Sequence, residues 1–478
     1  MAIKDNRQFV EALKKTGDVV IIKKEVDWDC EAGAIARRVN ETGTSAALLE
    51  NVKDYPGQRL LASPMATYRR LAIALELSPD IHIRELKAQF MRRVANPIKP
   101  VIIDKKSAPC KENIITGNDV NLFDLAAPMV HGGDGGRYIG TYHTIIQRDP
   151  ETDLHNWGGY RQMIYNQTHL CGLMVPYSDG ARIFTKYLQK GKPCPFAAAI
   201  SMDPACMITS FMATPPGIPE VEVAGGLAQQ PIELVPSETD AKLLVPAHAE
   251  VIIEGEIAPD FMLKEGPFGE YTGYRAGVRA CRNAYRVKTI TFRNNPIIGI
   301  ANMGMPVDES HIISTIGFAN QFEEALRAAR VPVTEVHMPP EGGLQLVVVG
   351  VKPVFNNIAS MVSNVLGTPL PIPYIVVVDG TEVDPFNLAE VVHAVVTRCH
   401  PQRGILIRDR EIGHPLFPFL DPEEKAHGLG ARVTFDTTWP VHWPKETFTP
   451  LKNAFNTIYP KEIQEKVLAN WKEYGFKS

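Results

Sequence analysis

The chain has 478 residues, 22% of them charged and 45% hydrophobic, which excludes a disordered chain and gives too much core-forming sequence for a single domain. A net charge of −4 and a pI near 6.4 exclude a global attraction to nucleic acid or to anionic membrane, so neither is an expected partner. The 7 cysteines (Cys30, Cys110, Cys171, Cys194, Cys206, Cys281 and Cys399) are odd in number and lack a Cys-x-x-Cys pair, which argues against a disulfide framework and for a reduced cytoplasmic setting.

The start, Met1 to Arg7, is polar and lacks the apolar stretch of a leader, and no later run of about 18 apolar residues could span a bilayer. Phe9, Val10 and Leu13 then mark one side of a helix from about Asn6, with Gly17 placed to end it, and Val19 to Ile22 reads as a strand. Helical periodicity returns over Ala32 to Val39, Tyr68 to Leu77 and His82 to Val94, so residues 1–114 are expected to form an α/β domain. From 115 to 310 the texture changes to short alternations broken by Gly, Pro and Asp, as in Tyr138 to Gln147, Ala249 to Glu254 and Asn283 to Phe292. This central region reads as a β-barrel or sandwich. Within it, His131 to Gly136 is a glycine-rich tight loop, expected to be a plain turn. Residues 311–458 alternate helices (Ile316 to Ala329, Asn356 to Leu366, Asn387 to Cys399) with strands (Leu344 to Val351, Tyr374 to Val378, Gly404 to Ile407). That order predicts a C-terminal α/β domain with a mainly parallel sheet covered on both faces. Residues 459–478 hold a terminal helix with Ile463, Val467, Leu468 and Trp471 on one side. Packing on its own domain is the first expectation for that stripe, and contact with another subunit the second.

Three segments could carry chemistry. In Glu265-Gly266-Pro267-Phe268-Gly269-Glu270 two carboxylates flank a constrained turn that could aim both into one cavity, where mutual repulsion would keep one protonated. Taken alone, such a pair also reads as a solvated turn. In Asn156-Trp157-Gly158-Gly159-Tyr160-Arg161 two glycines admit close backbone approach, and Arg161 offers a planar fork to a carboxylate or phosphate. In Pro219-Glu220-Val221-Glu222-Val223 the acids alternate as on an extended strand, which would turn Glu220 and Glu222 to one side.

Together and in this order, the three segments resemble the UbiD-type decarboxylases over nearly the whole chain. The resemblance implies a central split β-barrel of the flavin-reductase-like kind, prenylated FMN as cofactor with Mn2+ or Mg2+ and K+, and a flavin prenyltransferase as its supplier. It implies Arg161, Glu265 and Glu270 as the catalytic network. Asn156 and Glu220 fall on the family's divalent-metal positions, and Trp157, Thr209, Ser210 and Met212 on those of a monovalent cation. Flavin contacts are implied for Gly159, Tyr160, Arg161, Leu173, Met174 and Val175. Two positions depart from the pattern. Asp179, with Tyr177 nearby, stands where several relatives place a metal-binding His, and an all-oxygen set favours magnesium or manganese. Tyr374 stands where relatives often place a Lys for the flavin phosphate.

The expected reaction is reversible decarboxylation of an aromatic, heteroaromatic or α,β-unsaturated acid, with the acid and carbon dioxide as small-molecule partners. Substrate choice is assigned to Met303 to Ser314, where His311 could meet a phenolic hydroxyl or serve structure, and to Leu416 to Leu420, where Phe417 and Phe419 could face a ring or the core. By resemblance the chain forms a dimer or hexamer. A phenylphosphate-carboxylase-like subunit without the flavin is the nearest rival, and a noncatalytic assembly subunit the other.

Overall fold

The computed structural model describes residues 3–176, 178–212, 214, 217–276, 279–367, 371–444, 447 and 449–476. Its first helix, Asn6–Thr16, begins where the Asp5 carboxylate accepts the Gln8 N–H and ends at Gly17, whose φ of 76° suits glycine. Phe9, Val10 and Leu13 are buried as the stripe predicted. The strand Val19–Ile22 runs parallel to Ala46–Leu49, which pairs antiparallel with Arg59–Ala62. A fourth strand, Ile297–Ile300, joins this N-terminal sheet from far along the chain.

The central sheet has nine strands, all antiparallel. Its two longest, Val251–Glu265 and Ala280–Phe292, pair from Val251 with Phe292 to Glu265 with Ala280, so the chain between them projects from the end of a long hairpin. Register shifts after Glu254 and Ile257 bend that hairpin. The sheet is a curled layer: its end strands, Tyr138–Gly140 and His155–Gly158, are not paired with each other among the described residues.

The alternating acids after Pro219 correct the strand expectation. They open a helix, Glu220–Ala228, with Pro219 at its N-cap and both Glu220 and Glu222 in the first turn, where the helix dipole favours carboxylates. Two residues along a helix turn by about 200°, so the two acids do not share a face.

The C-terminal sheet is ordered Val333–His337, Leu346–Val351, Tyr374–Asp379, Leu429–Asp436, Ile405–Ile412. Its inner pairings are parallel and both edge pairings antiparallel, so the sheet is mixed where a mainly parallel one was expected. The edge strand Ile405–Ile412 returns to its neighbour through only the short helix Pro422–His427, which a parallel crossover could not do. Apolar layers cover both faces, one around Val349, Ile375 and Ile358, the other around Val376, Val391 and Ala394.

The 20-residue helix Glu309–Ala328 ties the molecule together. Ile312, Ile313 and Ile316 pack into the core shared with Leu71 and Ala199, whereas Ala319, Phe322 and Leu326 pack into the C-terminal core. Asp308 caps its start and accepts the Ser310 N–H at 2.9 Å. The terminal helix, Lys461–Ala469, does not pack on its own domain: Ile463 is 45% and Leu468 64% exposed. No described helix is long and apolar enough to cross a membrane, and the cysteines form no disulfide.

Candidate active site

The loop after the edge strand His155–Gly158 is fixed by its backbone. The Gly159 N–H donates to the Ser210 carbonyl at 2.8 Å, and the Tyr160 hydroxyl accepts the Gly180 N–H at 3.1 Å. His143 Nε2 donates to the Tyr160 carbonyl at 2.8 Å; burial pushes this imidazole down to about 4, so it is neutral near pH 7. A Cβ at Gly159 would lie 2.5 Å from the Phe211 ring, so glycine is required for this approach.

That loop delivers Arg161 to the end of the long hairpin. Its Nε and Nη2 each donate to one Glu265 oxygen at 2.9 Å, a bidentate pair, and its Nη1 faces the Glu270 carboxylate. Glu265 is 1% and Glu270 4% exposed, so the guanidinium and both carboxylates are removed from bulk water together. Tyr138 donates its hydroxyl to Glu265 Oε1 at 2.7 Å, which fixes the second side of that carboxylate. Burial and the Glu265 charge push the Tyr138 phenol well above its ordinary value, so it stays a donor.

The glycine-rich loop His131 to Gly136 supports this arrangement and is more than a plain turn. The Gly135 N–H donates to the Pro267 carbonyl at 2.8 Å, and a Cβ on Gly135 would stand 1.8 Å from the Gly266 oxygen. Gly266 itself has φ 85°. The His131 ring meets Phe268 edge-on at 5.2 Å, and Phe268 lies beneath the Arg161 guanidinium at 5.6 Å.

Glu270 and Arg161 open onto a cavity of about 1080 Å³, large enough for a nucleotide-sized ligand with room to spare. Asn156, Trp157, Gly159, Tyr160, Leu173 and Val175 line it, as do Asp179, Ser210, Met212 and Glu220. Glu265 lines a smaller adjoining chamber instead. Three predicted residues stand back from the cavity wall: Met174 packs against the central core, the Thr209 hydroxyl donates to the Cys206 carbonyl at 3.0 Å, and Tyr374 meets the Phe419 ring at 6.1 Å. Tyr177 lies outside the described residues.

Asn156, Glu220 and Asp179, the residues expected at a divalent metal, all line this cavity. Burial pushes the Glu220 carboxyl up, against the opposing pull of its own backbone N–H and of the Trp157 N–H and the Thr214 hydroxyl, each of the latter two at 3.3 Å. Asn156 Nδ2 is buried without a hydrogen-bond partner among the described residues; an amide N–H donates and does not ligate, so Asn156 would meet a metal through Oδ1. Asp179 opens the helix Asp179–Gln189 and is turned toward Arg182, with 56% of its side chain exposed. No group of three or more His, Cys, Asp or Glu side chains suited to a metal occurs among the described residues.

The long helix presents Ser310, Ser314, Phe318 and Gln321 to the cavity, whose lining also includes Tyr271, Met303 and Phe417. His311 faces away and serves structure: fully buried, it donates from Nε2 to the Tyr271 carbonyl at 2.6 Å and completes the helix cap with Asp308. Phe417 is buried and stacks on the half-exposed Phe419 at 5.3 Å. Sequence reasoning missed Tyr138, which no local pattern connects to a carboxylate 127 residues away. It also missed Phe318 and Gln321, although their four- and seven-residue spacing from Ser314 is a helix-face signal.

Comparison with known proteins gives a consistent result. Residues 101–306 match the 3-octaprenyl-4-hydroxybenzoate carboxy-lyase Rift-related domain of the UbiD family, residues 10–90 its N-terminal domain and residues 316–437 its C-terminal domain. The pyrrole-2-carboxylic acid decarboxylase of Pseudomonas aeruginosa is 30% identical, over 99% of this chain and 98% of that protein. The closed form of the vanillic acid decarboxylase of Sedimentibacter hydroxybenzoicus superposes with a TM-score of 0.87 at 28% identity, covering 100% of both chains. A UbiD-class enzyme of Pelotomaculum thermopropionicum solved with FMN has a TM-score of 0.83 at 28% identity, over 98% of this chain and 100% of that one. An evolved dimeric form of it was solved with prenylated FMN (TM-score 0.78, 28% identity, 92% and 96% coverage).

Proposed function

Given that the chain belongs to the UbiD family and is a carboxy-lyase, we propose that it interconverts an aromatic, heteroaromatic or α,β-unsaturated carboxylic acid with its decarboxylated product and carbon dioxide, using prenylated FMN. The observation that carries this reading is the convergence of Arg161, Glu265 and Glu270 on a cavity of about 1080 Å³.

Arg161 would bind the substrate carboxylate, since its fork is planar, permanently charged and held by Glu265. Tyr138 and Glu265 keep that fork from rotating. Glu270, buried at the cavity edge, would deliver a proton to the substrate carbon as carbon dioxide departs, and would take it back in the carboxylation direction. Phe318, Phe417 and Tyr271 would flank the organic part of the acid and exclude water.

Prenylated FMN, when bound, supplies the electron sink that losing carbon dioxide from an sp2 carbon requires and no side chain offers. Gly159, Tyr160, Arg161, Leu173 and Val175 would contact the flavin, with Met174 packed behind them in the core. Asn156 and Glu220, with Asp179 if it leaves Arg182, would hold Mn2+ or Mg2+ near its phosphate. Trp157, Thr209, Ser210 and Met212 would surround K+. The curled central sheet would then be a split barrel of the flavin-reductase-like kind. A flavin prenyltransferase would supply the cofactor, and the unpaired cysteines support a reducing, cytoplasmic setting. The exposed apolar side chains Leu451, Ile463 and Leu468 support a homo-oligomer.

The test is carbon dioxide release from a panel of aryl, pyrrole and cinnamic-type acids by protein produced with and without a flavin prenyltransferase. Release that depends on the prenyltransferase is expected; no release from any acid in either preparation contradicts the proposal.

A further inference from the structure

Behind the Arg161–Glu265 pair lies a second chamber of about 200 Å³ that shares Arg161, Leu173 and Leu416 with the large cavity. A water occupies about 30 Å³ of liquid, so the chamber has room for roughly six waters or one small organic anion. Its charge is one-sided. Arg161, Arg275, Arg282 and Lys425 line it, and Glu265 is the one carboxylate in that lining among the described residues. Arg161 is already occupied by Glu265 and Glu270, and Arg275 Nη2 by the Gly132 carbonyl.

Arg282 is different. Its Nε is buried without a hydrogen-bond partner among the described residues, and the Glu265 carboxylate stands 4.0 Å away, beyond hydrogen-bond reach. A partly desolvated guanidinium with an unfilled donor attracts an oxyanion. Lys425 faces the same space from the C-terminal unit, on the short helix Pro422–His427, and its side chain is solvated at the chamber mouth.

We propose that this chamber is an anion site that takes a carboxylate-sized oxyanion, either the head group of the incoming acid or bicarbonate, and stages it between Lys425 and Arg282, next to the Arg161–Glu265 pair. Its role in turnover rests on the decarboxylase reading above; the binding itself does not. Leu173 and Leu416 line both spaces, so the boundary of the chamber toward the large cavity includes apolar side chains.

The experiment titrates the protein as isolated with sodium formate and, separately, sodium bicarbonate at constant ionic strength, with chloride as reference, reading the melting temperature. Wild type, Arg282→Gln and Lys425→Gln are compared. A rise in melting temperature with formate, reduced in both variants, supports the site. Formate that also raises the KM for the acid identifies the substrate head group as the natural occupant, whereas a response to bicarbonate alone identifies the hydrated product. Lys425→Gln, exposed and free of folding constraints, is expected to raise the KM about fivefold at low salt with kcat unchanged. No shift beyond chloride, or an equal shift in wild type and both variants, overturns the proposal. Because the titration needs no turnover, its failure leaves the decarboxylase assignment standing, and absent turnover with an intact titration overturns that assignment alone.

Discussion

Glu270 meets the Arg161 guanidinium at the cavity edge, and Gln in its place keeps the shape while removing the proton that the proposed reaction transfers. Glu270→Gln is expected to lower kcat by at least about a hundredfold while bound flavin, read by absorbance, stays constant. Unchanged turnover would remove Glu270 from the mechanism. A second carboxyl has a different signature. Glu309, fully enclosed beside Asp308, has its carboxyl pushed up to about 7 by burial and by that neighbouring charge. Between the ordinary carboxylate range and pH 7 the folded chain holds this proton and the unfolded chain does not, so Glu309 lowers stability as pH rises through that window. Glu309→Gln should therefore gain melting temperature relative to wild type at pH 8 but not at pH 5, with an upper limit on the order of 3 kcal/mol. An equal difference at both pH values would show that Glu309 ionises normally.

Elements decide whether these residues meet. Glu265 ends one long strand, Glu270 lies in the projection beyond it, and the His131 to Gly136 loop packs beneath. Gly135→Ala places a Cβ 1.8 Å from the Gly266 oxygen, so the acid-bearing turn must move. It is expected to reduce kcat at least about tenfold with the circular dichroism spectrum retained; normal kcat would mean the turn tolerates displacement. At this scale the sequence was readable where local signals act. The Asn6–Thr16 helix carried its stripe and its terminal glycine, and Val19–Ile22 its β-branched run. It was misleading at Glu220–Ala228, because Glu-Val-Glu-Val has the period of a strand, while Pro219 before it and two acids in the first turn suit a helix start. The mixed edges of the C-terminal sheet were not readable, since strand direction depends on which strands pair across the fold. Arg161, Glu265 and Glu270 could be named because their motifs are local and specific. Tyr138 could not, because only tertiary contact brings it to Glu265, whereas Phe318 and Gln321 were within reach through their helix-face spacing from Ser314.

The whole molecule is held around the cavity by the helix Glu309–Ala328, which enters two cores, and by ion pairs from the N-terminal helix Ile83–Val94 to the C-terminal unit. Lys87 reaches Glu323 and the Val336 carbonyl at 2.7 Å, while Arg84 donates to Glu335 at 2.7 Å and faces Asp384. The Lys87–Glu323 pair is nearly buried, with both side chains 9% exposed; Glu323 is also held by Arg327 at 2.7 Å, so losing Glu323 would strand a buried ammonium, whereas losing Lys87 would leave the carboxylate still paired. This frame holds Ser310, Ser314 and Phe318 of the long helix in the lining of the same cavity as the Arg161 loop. The direct test of that arrangement is the absorbance spectrum and metal content of the protein made together with a flavin prenyltransferase. The account expects a coloured protein with one modified flavin and one divalent metal per chain, losing the flavin when the metal is chelated. A colourless protein that binds metal and turns over a phosphorylated phenol would contradict it.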